Sequence, residues 1–161
     1  MTQYNFESVF AGKSDFLSNA KFSGGLELQS TANVKEIFEK VCVYGESAYQ
    51  QIVIDISKGS LHNYTAEATS NFTFNIKGFK DIPKEKSIVV TVLINMGSSA
   101  YVISNPSTTG FSIDGEAVVV RWIGSSPPSS GFTNSINSYN FAIIKNDTSD
   151  YTVLGTLTRF G

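Results

Sequence analysis

Along residues 71–77, NFTFNIK, Phe72, Phe74 and Ile76 alternate with Thr73, Asn75 and Lys77. A period of two sends successive side chains to opposite faces, so this spacing predicts a half-buried strand with an apolar inner face. Residues 87–95, SIVVTVLIN, are nearly continuous in apolar and β-branched residues and are closed by MGSS. The run is too short for a typical helix, and it predicts a central strand with core on both faces. Residues 138–145, SYNFAIIK, set Tyr139, Phe141 and Ile143 against Asn140, Ala142 and Ile144. The turn residues NDTSD divide this segment from DYTVLGTLTRF, so the two predict a hairpin.

Shorter candidates fill the intervals: EKVCVY, QIVIDI, LHNYT, AYVIS, GFSID and AVVVRW, each bounded by Gly, Pro, Asn or Ser. Closely spaced short strands with turn chemistry between them are the pattern of a sandwich or barrel. The expected fold is all-β, an antiparallel β-sandwich of jelly-roll type over residues 34–161. One stretch, ANVKEIFEKV, has Val34, Ile37, Phe38 and Val41 at helical spacing while its continuation CVYG is strand-like, so a short helical turn and a strand both fit. Residues 1–33 scatter single apolar side chains among small and polar ones and are too thin to build a core alone. They are expected to form a short extended N-terminal arm, lying on the domain as an edge strand or pairing with other copies.

Composition supports the β reading and narrows the partners. Charged residues make up 16% of the chain and apolar ones 41%, so the polar surface is largely Ser, Thr and Asn, which favour turns and strand surfaces over helix interiors. A formal net charge of -2 gives no field to gather a polyanion, which argues against nucleic acid as a partner. Lys77, Lys80, Lys84 and Lys86 fall beside Gly78, Asp81, Pro83 and Glu85 and read as a solvated loop. The N-terminus has no basic stretch followed by an apolar run, and nowhere do 18 apolar residues occur together, so neither a signal peptide nor a membrane span is expected. Cytoplasmic synthesis fits, with the sequons at Asn63, Asn71 and Asn146 incidental to an Asn-, Ser- and Thr-rich chain.

Catalytic chemistry has few carriers. Cys42 and His62 are the sole cysteine and histidine. The thiol reads as a small buried hydrophobe in a strand, and the imidazole as a solvated strand residue. Neither belongs to a recognisable metal or nucleophile motif, so no catalytic residue, metal ligand or cofactor is assigned. Asp114 and Glu116 flank Gly115; a glycosidase needs only two carboxylates, but Asp-Gly between FSI and AVVV is first a hairpin turn. Among the aromatic residues, Trp122 and Tyr139 are the ligand candidates, as members of a sugar-binding face. For Trp122, at the end of a strand before a long loop, a role in the core or in anchoring that loop is the competing reading.

The succession NYTAEATSNFTFNIKG, VTVLINMGSSAYVIS, SIDGEAVVVRWIGSSPPSSG and NSYNFAIIKNDTSDYTVLG resembles a family of tailed-phage virion structural proteins. Its members are met especially among phages of marine cyanobacteria, often as the C-terminal domain of fibre-like particle proteins. The resemblance runs from about Asn33 to Gly161. It is carried in order by Tyr64, Thr65, Asn71, Phe72, Thr73 and Asn75, then Asp114 and Gly115, Trp122 with Gly124 and Pro128, Tyr139 with Phe141, and Tyr151, Val153, Leu154 and Gly155. It implies a compact β-sandwich without catalysis, located in the virion and assembled there with other virion proteins, commonly as a homotrimer. Family members usually carry a long N-terminal shaft, whereas about 33 residues precede the shared region here, which favours a capsid decoration or short tail-fibre appendage over a long fibre. A carbohydrate-binding module that recognises a host-surface glycan is the alternative.

Overall fold

The computed structural model describes residues 37–161, so the expected arm over residues 1–33 lies outside the described residues. Residues 38–161 form one compact unit. Its architecture is two β-sheets, with no α-helix among the described residues and a single 3-10 turn at Ile123–Ser125.

The first six strands are dealt alternately between the sheets. β1 (Val41–Ser47), β3 (Leu61–Ala66) and β5 (Lys86–Met96) lie side by side in one sheet, and β2 (Gln50–Asp55), β4 (Phe72–Lys77) and β6 (Phe111–Ile113) in the other. Each of β1 to β4 therefore meets, as its neighbour, the strand two elements later, and these pairs are parallel. Parallel neighbours require a crossover that returns the chain to its starting end. Here the intervening strand in the opposite sheet is that crossover, taking the place of the usual helix.

The C-terminal part reverses the pattern. β7 (Glu116–Ala117) closes an antiparallel hairpin on β6, and β8 (Val120–Trp122) returns the chain to the first sheet. β9 (Ser135–Asp147) and β10 (Asp150–Phe160) form the expected hairpin, with β9 antiparallel to β5 as well. The sheet orders are β1-β3-β5-β9-β10-β8 and β2-β4-β6-β7. The expected antiparallel pairing is thus corrected to mixed sheets in which β1-β3, β3-β5, β2-β4, β4-β6 and β10-β8 are parallel. This differs from the fully antiparallel connectivity of a jelly roll.

The two sheets share one apolar core. Phe72, Phe74 and Ile76 all point into it, as their alternation predicts. Phe74 lies 5.2 Å from the ring of Tyr139 and 5.2 Å from that of Phe141, and Phe111 lies 4.6 Å from Phe141, so aromatic contacts bind β4 and β6 to β9 across the sheets. β5 is central, but only Val90, Val92, Ile94 and Met96 are buried in that core. Its other face is half-covered, and Val89 is 57% exposed, so the expectation of core on both sides is corrected. AYVIS forms no strand; Ile103 makes an isolated parallel bridge to Phe72. Residues 37–40 have no regular structure and lead directly into β1, so the helical turn is not formed in the described part of that segment.

Candidate functional site

Polar groups with catalytic potential are drawn into the framework. On β3, His62 and Tyr64 share the inward face opposite Val92 and Ile94 of β5, so the register carries the imidazole out of solvent. His62 is fully buried, correcting the solvated reading. The reason is local satisfaction: Nε2 lies 2.9 Å from the Gly59 carbonyl, which accepts its proton, and Nδ1 accepts from the Tyr44 hydroxyl at 3.0 Å. A neutral imidazole with both nitrogens engaged can be buried at little cost. Burial holds its pKa below the ordinary value, against the raising effects of the Gly59 carbonyl and Asp55. Cys42, the neighbour of His62 on β1, is only half-buried and donates weakly to the Lys58 carbonyl at 3.3 Å.

Asp114 and Gly115 make the turn between β6 and β7, with φ of 49° and 92°. Both lie in the left-handed region that Asp and Gly tolerate in such turns. The Asp114 carboxylate accepts the Gly78 and Lys80 amides, each at 2.8 Å. Both oxygens therefore hold the loop after β4, while Glu116 is exposed on the short edge strand. Lys77, Lys80, Lys84 and Lys86 are exposed as expected. The lysine with a structural role is Lys145, only 4% exposed. Its ammonium donates to the carbonyls of Phe79, Lys80 and Ile82 at 2.9, 3.1 and 2.7 Å. The only sequence signal for it is its odd position, in phase with the inward Tyr139, Phe141 and Ile143.

The two ligand candidates fall in different places. Tyr139 is fully buried, and its hydroxyl accepts the Ile103 amide at 3.3 Å. Desolvation raises its pKa. It is a core residue with no face open to a ligand, which corrects its candidacy. Trp122 is 8% exposed, donates to the Pro106 carbonyl at 3.3 Å and packs edge-on to Phe141. It anchors the loop, with one edge on a cleft of about 400 Å³ shared with Ile123, Pro127, Pro128 and Phe132.

An open groove of about 310 Å³ lies where β1 turns into β2, lined by Tyr44, Glu46, Tyr49, Gln50, Gln51 and Tyr64 among others. Tyr44 and Tyr64 stack at 4.6 Å, and Tyr44 continues the stack toward His62 at 5.9 Å. Partial burial raises the Tyr44 pKa, with Cys42, Asp55 and Glu46 adding to the effect. The groove therefore presents phenol rings and hydroxyls, a carboxylate and two amides, a set suited to hydrogen-bonding and stacking against a polyol. The bulge in β1 between Tyr44 and Ser47 interrupts the pairing with β3 beside this groove. Sequence reasoning missed it because Tyr44, Tyr49 and Tyr64 come from separate segments whose parallel stacking was not foreseen.

Among the described residues no three His, Cys, Asp or Glu side chains gather into a metal-binding group, and no helix is long and apolar enough to cross a membrane. No protein-family model, curated protein or solved structure matches the chain.

Proposed function

We propose that this chain is a non-enzymatic structural protein of a tailed-phage virion, a capsid decoration or short tail-fibre appendage whose β-sandwich domain self-associates. The observation that carries the reading is the use of its reactive groups as fasteners. His62, Asp114 and Lys145 each hold backbone groups of loops between strands. A protein whose task is to keep its shape in an assembly has this use for buried polar groups, and the ordered motifs from Tyr64 to Gly155 support the virion assignment. Particles purified on a density gradient test it. Stoichiometric co-purification of the chain, resistant to a salt wash, is expected; a chain left wholly in the soluble lysate overturns the assignment.

A second reading has its own observation, the Tyr44–Tyr64 groove with the exposed Tyr49 in its lining. It makes the domain a receptor-recognition module that binds a host-surface glycan. A glycan array probed with the wild-type chain and with Tyr49→Ala tests this. Binding lost in the variant supports it, and binding to no glycan, or binding unaffected by the variant, overturns it.

A further inference from the structure

The outward face of the six-stranded sheet is unlike an ordinary solvated face. The strand register places Val43, Val89, Ile136, Ile144, Leu154 and Phe160 on it, with Val89 57%, Leu154 46% and Phe160 56% exposed. Between them stand Thr, Asn and Ser. Among the described residues that the strand register places on this face, Arg121 on the edge strand β8 is the charged side chain, with the Asp147–Asp150 turn at one end and Glu67, beside Gly97, at the other. By contrast, the outward face of the other sheet sets Asp55 beside Lys77.

Several polar side chains of the face are already paired with one another or with its backbone. Thr91 donates to Asn140 at 2.9 Å, Asn140 to Ser138 at 3.1 Å, and Asn146 to Thr152 at 3.1 Å. Thr65 donates to the Tyr44 carbonyl at 3.1 Å, and Asn95 to that of Thr65 at 3.0 Å. Covering these paired groups keeps their hydrogen bonds, so their share of the face is buried at a reduced desolvation penalty.

We infer that this face is the self-association surface of the protein and that its occupant is a second copy of the same chain. Two observations select that occupant. At about 3.3 Å per residue and about 4.8 Å between strands, the six strands present about 800 Å², close to the roughly 800 Å² per partner of a stable interface. An almost uncharged face also meets a copy of itself without like-charge repulsion, whereas a charged partner would lose solvation there with no counter-charge to gain. The inference rests on the self-association reading above and specifies its surface.

Light scattering coupled to size-exclusion chromatography on the full chain tests it, with Val89→Lys and Leu154→Lys as separate outward-facing variants and Val53→Lys on the opposite sheet as control. Thermal melts verify folding. Wild type and control are expected to run as an oligomer and both face variants as folded monomers. Hydroxyl-radical footprinting of the unmutated chain gives a readout independent of substitution: Ile144, Leu154 and Phe160 are expected to be labelled several-fold more slowly at high concentration than on dilution. A wild-type oligomer unchanged by either lysine overturns this surface while leaving self-association standing. A wild-type monomer at every concentration overturns both. A monomer whose face is nonetheless protected from radicals places residues 1–36 there instead, and also overturns it.

Discussion

Asp114 and Lys145 grip the two sides of one residue, Lys80: the carboxylate accepts its amide at 2.8 Å and the ammonium donates to its carbonyl at 3.1 Å. One grip comes from the sheet of β4 and β6, the other from β9 in the opposite sheet. The loop between β4 and β5 is thereby fixed to both layers by charge-assisted hydrogen bonds, which are stronger than neutral ones.

Replacing Lys145 by Met keeps much of the stem's packing but leaves the carbonyls of Phe79, Lys80 and Ile82 without their donor. The expected loss is about 2–4 kcal/mol, the range for stranded buried polar groups and a broken charged network. Asp114→Asn retains the turn and one acceptor oxygen and should lose about 1–2 kcal/mol. Urea unfolding monitored by circular dichroism measures both. If Lys145→Met matched the wild-type midpoint, the ammonium would not be holding the loop.

Gly155 is fixed by Trp122 rather than by backbone conformation. A Cβ at that position would meet Val120 Cγ1 at 2.5 Å and Trp122 Cε3 at 3.0 Å. The parallel register pairs Gly155 directly with Trp122, so the indole lies over a position that has no side chain. Gly155→Ala is expected to cost about 1–3 kcal/mol by overpacking and to shift the emission of Trp122, the sole tryptophan. Unchanged emission and an unchanged melting temperature would show that the ring has room to move.

These residues mark what was legible in the sequence. The alternation in β4, the long β9–β10 hairpin and the Asp114–Gly115 turn all followed from local chemistry, because period and turn residues act within a few positions. Strand direction did not. Val41 pairs with Leu61 and Leu61 with Thr91, and the order was hidden because side-chain alternation is the same in parallel and antiparallel strands. His62 and Lys145 escaped for another reason. Their burial depends on the carbonyls of Gly59 and of Phe79, Lys80 and Ile82, and a strand pattern read by polarity alone counts such residues as outward. Tyr139 failed as a ligand candidate by the same logic in reverse: its alternation with Asn140 already placed it on the face that became the core.

The buried imidazole makes stability depend on pH in a definite direction. His62 in the fold has a pKa below its ordinary 6.5, with burial the largest cause. The unfolded chain therefore takes up the proton first as pH falls, and protonation favours unfolding. The stabilisation is fully present above about pH 6.5 and declines as pH drops through that value toward the folded-state pKa. His62 is the only histidine. Asp55, held low chiefly by the Ser57 hydroxyl, acts only as pH falls below its ordinary 3.8, and the raised tyrosines act on the alkaline side, so neither confuses the window. Urea midpoints at about pH 7.5 and about pH 5.5 should differ, with the acid value lower. Tyr44→Phe removes the 3.0 Å bond to Nδ1 but leaves the ring buried, so the acid loss should persist in it. His62→Leu should abolish that loss, whatever its effect on absolute stability. A wild-type midpoint that held steady between the two pH values would mean the imidazole reaches water in the folded protein, and the Tyr44–His62–Gly59 arrangement would have to be abandoned.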